Sequence, residues 1–171
     1  PPEVLTTSYS PPKTDGSGNM RGNLRKASKL LQEAGWKIDK KTRKLVHAKT
    51  GQPFTFEILL GSPLFERIVL PFNKNLTRLG IDVTVRTVDT AQYRQRLTEF
   101  DYDVVVGSWG QSLSPGNEQR DYWTVEAATR PRSRKLCGIE NQAIDELDEL
   151  LISAPTRKSP VARTRPLQRA Q

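Results

Sequence analysis

An α/β fold, with a mixed, mostly parallel sheet flanked by helices, is predicted by three observations. Between residues 54 and 106 the apolar pattern switches repeatedly from period 2 to period 3.6. The period-2 runs are rich in β-branched and aromatic residues, which suit strands. The helical runs between them are long enough to cross from one strand to a parallel neighbour.

The elements follow in order. Leu24, Ala27, Leu30, Leu31 and Ala34 repeat at helical spacing with Lys and Arg opposite, so a helix is predicted from about Gly22 to Ala34. Gly35 stops it. Trp36–Ile38 and Leu45–His47 flank Asp39-Lys40-Lys41-Thr42, the pattern of a small hairpin. Phe54, Phe56 and Ile58 alternate with Thr55, Glu57 and Leu59 as a strand. Leu64, Ile68, Phe72, Leu76 and Leu79 then step by three or four residues and predict an inward helix face over 63–79. Pro63 suits a first helical position, whereas Pro71 is expected to kink that helix or split it. Ile81, Val83 and Val85 form the second strand. Asp89 or Thr90 can cap a short helix carrying Tyr93, Leu97 and Phe100. Val104, Val105 and Val106 make an unbroken apolar run, expected to be a strand covered on both faces. Beyond it, a short helix is predicted over Asp121–Ala128 and a last one over Asn141–Ser153. In the last helix Ala143, Ile144, Leu147, Leu150 and Leu151 point inward, and Asp145, Glu146, Asp148 and Glu149 form a solvated face.

The chain has 171 residues and a net charge of +8, enough length for one domain with a core. Much of that charge lies at one end. Residues 155–171 carry Arg157, Lys158, Arg163, Arg165 and Arg169, three prolines and no acid. Without them 22 basic and 19 acidic residues remain, a net of +3. The basic balance therefore belongs to a tail and does not by itself make the chain a nucleic-acid binder. Residues 1–22 are rich in Pro, Ser, Thr and Gly and read as irregular. The chain begins Pro1-Pro2-Glu3-Val4-Leu5, like the middle of a longer protein. Absence of a leader then says nothing about compartment. Cys137 is the only cysteine and His47 the only histidine, so neither an internal disulfide nor a histidine-cluster metal site is available, and no cofactor is expected.

The informative stretch is Phe100–Arg120. A short strand stops at Gly107-Ser108-Trp109-Gly110, followed by Gln111, Ser112 and the turn Pro115-Gly116. Ligands of open α/β sheets bind beyond the carboxyl ends of the strands. An indole there, followed by amides and hydroxyls, can stack on a solute and hydrogen-bond it. Trp109, Gly110, Gln111, Ser112, Asn117 and Glu118 are the candidate ligand-binding residues. The alternative is that Trp109 caps the core and the loop is solvated. Asp101 and Asp103 could form an acid/base pair, but strand-edge solvation is the stronger reading of them, and no catalytic partner type clusters near His47. Gly16-Ser17-Gly18 lacks the preceding strand of a phosphate loop. Trp36, Trp109, Tyr122 and Trp123 are not interleaved with basic residues, as platforms for single-stranded nucleic acid would be. A basic module binding nucleic acid through the tail, and a hydrolase using His47 or the Asp101/Asp103 pair, are the two rival readings. No catalytic constellation is evident.

Four stretches in sequence order resemble the family 5 solute-binding proteins of peptide- and nickel-type ABC importers. They are Asn23–Trp36, with its Leu-Leu-Gln-Glu-Ala-Gly-Trp ending, Gly51–Leu60, Pro71–Arg86 and Phe100–Trp109. Val88–Tyr93 and Ser114–Arg120 are similar in wording to the Yej-type branch, which takes oligopeptides and microcin C. The resemblance implies a periplasmic-binding-protein-like lobe over 23–154, with 155–171 leading towards a missing lobe of the same chain. It implies a non-enzymatic, periplasmic protein, with a signal in the full-length chain, that closes over a peptide or peptide-like ligand and delivers it to a membrane permease. Relatives that bind free peptides carry an Asp three residues after the loop Trp, where it pairs with the ligand's amino group; here that position is Ser112. Either the ligand's amino terminus is blocked or absent, or another acid such as Glu118 replaces that Asp. An unpaired buried ammonium would be costly.

Overall fold

The computed structural model describes residues 11–14, 16–110, 116–130, 133–138 and 140–153. They fall into two compact units. The first comprises residues 11–96 and 101–106, and the second residues 97–100 and the described residues from 107 onwards. The basic tail and half of the irregular start (1–10 and 15) lie outside the described residues.

In the first unit, helix α1 (Arg21–Glu33) leads to the antiparallel pair β1 (Trp36–Ile38) and β2 (Leu45–His47). Asp39 Oδ1 accepts the amides of Lys41 and Thr42, which folds the turn of this hairpin. Strands β3 (Thr55–Leu60), β4 (Asp82–Thr87) and β5 (Val104–Val105) form a parallel sheet in the order β4-β3-β5. Helix α2 (Glu66–Arg78) connects β3 to β4, and α3 (Thr90–Glu99) connects β4 to β5. The period switching thus yields the parallel α/β layer it predicted. Asp89 caps α3 by accepting the amides of Ala91 and Gln92 at 2.9 Å.

The core of this unit is the central strand. Ile58, Leu59 and Leu60 are buried; Ile58 and Leu60 pack with Val69, and Phe56, Val83, Val85 and Val106 surround them. Three expectations are corrected. The valine run was expected to be covered on both faces, but β5 is a two-residue edge strand with Val104 exposed. An edge strand has a neighbour on one side only, and the doubly covered position belongs to β3. In α2 Leu76 is half-buried, as is Leu79 just after the helix, both as expected, but in its first turns the packed positions are Val69 and Asn73, one residue round from Ile68 and Phe72 of the expected strip. Leu64, Ile68 and Phe72 are instead 70%, 61% and 53% exposed. Asn73 accounts for the rotation, because its Nδ2 donates to the Val83 carbonyl and turns this polar position towards β4. Third, Pro71 does not split α2, which is continuous over Glu66–Arg78, and a 3₁₀ turn over Pro63–Phe65 precedes it.

In the second unit, α4 (Glu118–Trp123), α5 (Val125–Thr129) and α6 (Gln142–Ile152) carry a core of Ile144, Leu147 and Leu151 against Trp123. The single helix expected over 121–128 is two, divided at Thr124, whose extended backbone and Oγ1 cap α5. Asn141 caps α6. The four acids of α6 do not form one solvated face. Asp145 accepts the Val125 amide, Glu149 holds Arg120 through both carboxylate oxygens at 2.6 and 2.7 Å, and Asp148 is 0% exposed. Two short helices pack where solvent was expected, so only Glu146 of the four stays exposed without a described partner.

Candidate ligand-binding site

The segment after β5 is fixed at its start by Tyr93. The ring of Tyr93 lies over Gly61, where an added Cβ would come within 2.8 Å of it, and the hydroxyl donates to the Val106 carbonyl at 2.8 Å. Burial pushes the Tyr93 phenol above its ordinary value, so it stays a donor.

Trp109 is half-buried. Its ring faces Trp123 with centroids 5.2 Å apart and planes tilted by 38°, within the range of favourable aromatic pairs. Its Nε1 donates to the Arg134 carbonyl at 3.0 Å. The next carbonyl, that of Gly110, accepts from the Tyr122 hydroxyl at 3.1 Å. Tyr122 meets Trp123 edge to face at 6.4 Å, and Trp123 Nε1 donates to buried Gln119 at 3.0 Å. Trp109 and Gly110 therefore stand on a preorganised aromatic bed supplied by α4.

The other candidates divide. Gln111 and Ser112 lie outside the described residues. Asn117 is exposed, and its Oδ1 accepts from Arg120. Glu118 Oε1 accepts the Gly116 amide at 2.9 Å and Gln119 Nε2 at 3.4 Å. The Gly116 amide, and then its own, hold the Glu118 carboxyl below the usual range against a smaller opposing effect of burial. Glu118 is thus an ionised acid at the start of α4, turned towards its own turn.

The rival sites are not assembled. Asp101 pairs with Arg96, while Asp103 accepts the Glu57 amide at 2.8 Å and so ties β5 to the sheet. His47 is half-buried, meets Trp36 edge to face and approaches Thr50 Oγ1 at 3.2 Å. Among the described residues no group of three or more His, Cys, Asp or Glu could hold a metal ion, and no helix is long and apolar enough to cross a membrane.

Sequence reading missed Gln119, Arg134 and Lys135 as parts of this arrangement. Arg134 and Lys135 sit in Arg130-Pro-Arg-Ser-Arg-Lys135, between the two predicted helices, and no sequence signal singles them out. Tyr122 and Trp123 are placed on a short helix by the sequence, but nothing in it pairs them with Trp109.

Parallel strands joined by crossover helices place the first unit in the α/β class. Residues 1–130 match the family described as bacterial extracellular solute-binding proteins, family 5, middle region, and the chain belongs to that family. Relatives include the "uncharacterized protein y4wM" of Sinorhizobium fredii, 51% identical over 99% of this chain and 25% of that protein. The "probable peptide-binding protein YejA" of Agrobacterium fabrum is 44% identical over 99% of this chain and 27% of that one. The Yej-type resemblance of the motifs is thereby borne out. The oligopeptide-binding protein AppA of Bacillus subtilis, solved with a nonapeptide, superposes with a TM-score of 0.73 over 95% of this chain and 32% of its own, at 24% identity. That likeness shows the fold. The chain spans about a quarter of the length of the curated relatives it matches.

Proposed function

We propose that this chain is the ligand-capturing part of the substrate-binding protein of an ABC importer for oligopeptides or peptide-like compounds, including ones with a blocked amino terminus. The observation that carries this reading is the Trp109–Trp123 pair, held with its polar atoms satisfied, in a chain of the solute-binding family. Trp109 flanks the ligand; Gly110, Gln111, Ser112 and Asn117 offer backbone and side-chain hydrogen bonds; Glu118 is the nearby anion. The protein binds and releases without chemistry, in the periplasm, and hands its ligand to a membrane permease. The remainder of the longer protein supplies the other lobe and closes over the ligand. Residues 1–22, 23–154 and 155–171 serve as irregular start, lobe and tail leading to that other lobe. Peptide binding by the name of YejA, and the nonapeptide held by AppA, support the ligand class. Isothermal titration of the full-length protein with matched free and N-formylated tri- and tetrapeptides tests it. Micromolar or tighter capture is expected, and no binding to any member of the set would refute it.

A further inference from the structure

Lys135 is 1% exposed, among the most deeply buried side chains of the second unit. An ammonium withdrawn from water is unfavourable unless its protons find acceptors. Here Nζ donates to the Thr124 carbonyl at 2.9 Å and the Trp123 carbonyl at 3.2 Å. These are the carbonyls at the end of α4, where the helix leaves acceptors unpaired and favours a cation. The flanking residues grip the other side of the aromatic bed. The Arg134 carbonyl takes the Trp109 indole N–H, and Arg134 Nη1 reaches the Tyr122 hydroxyl at 3.4 Å. Leu136 packs so closely on Gly107 that a Cβ there would lie 2.6 Å from its Cδ1.

We infer that Arg134–Leu136 is a clasp that positions Trp109 for ligand, with the buried Lys135 ammonium as its anchor. The inference rests on the proposed role of the Trp109 loop and adds the residues that set its geometry. Lys135 fixes the end of α4, which carries Tyr122 and Trp123, to the same three-residue strip that holds the Trp109 indole N–H and Gly107. Lys135 is a positioning residue and touches no ligand. Because the Trp109 N–H is already bonded, this indole meets a solute through its ring surface and not as a hydrogen-bond donor. Arg134–Leu136 is therefore a positioning strip for the Trp109 ring.

The test uses the full-length protein and a readout that needs no ligand. Near-ultraviolet circular dichroism reports the Trp109–Trp123 coupling as the signal that Trp109→Phe removes. Lys135→Met keeps the chain length of the side chain and removes its donors. Loss of most of the coupling in Lys135→Met, with a cooperative unfolding transition retained, and recovery in Lys135→Arg are expected. An unchanged coupling in Lys135→Met would overturn the clasp. If Lys135→Met does not fold, Tyr122→Phe, which deletes one oxygen, must weaken the coupling; an unaltered signal there overturns the clasp equally. Titration with trialanine and N-formyl-trialanine forms a second arm, with binding about tenfold weaker in Lys135→Met and restored in Lys135→Arg. Coupling lost with affinity unchanged upholds the clasp and removes the loop from the ligand site.

Discussion

The indoles of Trp109 and Trp123 lie 5.2 Å apart, and each has its N–H bonded within the protein, one to the Arg134 carbonyl and the other to Gln119. Neither ring can rotate without breaking a hydrogen bond. A surface ordered before the ligand arrives loses less conformational freedom on binding, which favours affinity without any further contact. Bonded and stacked in this way, Trp109 differs from a loosely tethered surface aromatic.

Gly61→Ala is expected to destabilise the protein by about 1–3 kcal/mol, because the new methyl meets the Tyr93 ring and the overpacking shifts that side chain. The displaced ring would also pull its hydroxyl from the Val106 carbonyl. Urea denaturation checks this, and a midpoint equal to that of the parent chain would contradict it.

The rotation of α2 has a measurable consequence. Val69→Ala should lower the stability of the 171-residue chain by about 1–3 kcal/mol, since it empties a buried position beside Ile58 and Leu60. Ile68→Ala, at an exposed position, should change it by less than about 0.5 kcal/mol. Equal losses at the two sites would restore the strip read from periodicity.

Stability should depend on pH through Asp148. Burial, then the nearby Asp145 and Glu149 carboxylates, push its pKa up to about 7, outweighing the pull of Arg120 and Lys135. Neither of its carboxylate oxygens has a hydrogen-bond partner. The folded state therefore holds a proton that the unfolded chain has already released. This contribution is fully present below the ordinary Asp range and is lost as pH rises to about 7, at up to about 1.4 kcal/mol per pH unit. Asp148→Asn should flatten the profile between about pH 4 and 7. A thermal melt series over that range decides it, and a mutant slope identical to that of the parent would contradict the assignment.

Ser112→Asp should move preference towards peptides with a free amino terminus, since it adds a carboxylate that can pair with the ligand's ammonium. The ratio of affinities for free and N-formylated peptides reads the effect directly. An unchanged ratio would mean that position 112 does not face the ligand's amino end.

Much of the fold was legible because burial and period agree in its central elements. Phe56 and Ile58 alternate as a strand should, and Asp89 caps the helix its spacing announced. The side of α2 that packs was not legible. The packed row of its first turns passes through Asn73, a polar residue whose bond to the Val83 carbonyl belongs to the tertiary structure and is invisible to apolar periodicity. At the candidate site, Trp109 stood out because it follows the end of a strand in a loop bracketed by Gly107 and Gly110. Lys135 did not, because what distinguishes it from a solvated lysine is the pair of carbonyls it meets eleven and twelve residues away in sequence. Asp148 was misread for the same reason: helical spacing gave α6 one wet face, while α4 and α5 occupy part of it.

The most direct measurement is calorimetric titration of the full-length protein and its Trp109→Ala variant with a peptide that the parent binds. The variant should bind about 1–3 kcal/mol more weakly while retaining its fold, because a preordered aromatic contact at an anchor position has been removed. Full affinity in Trp109→Ala would take this loop out of the binding site and leave its tryptophan as a structural cap.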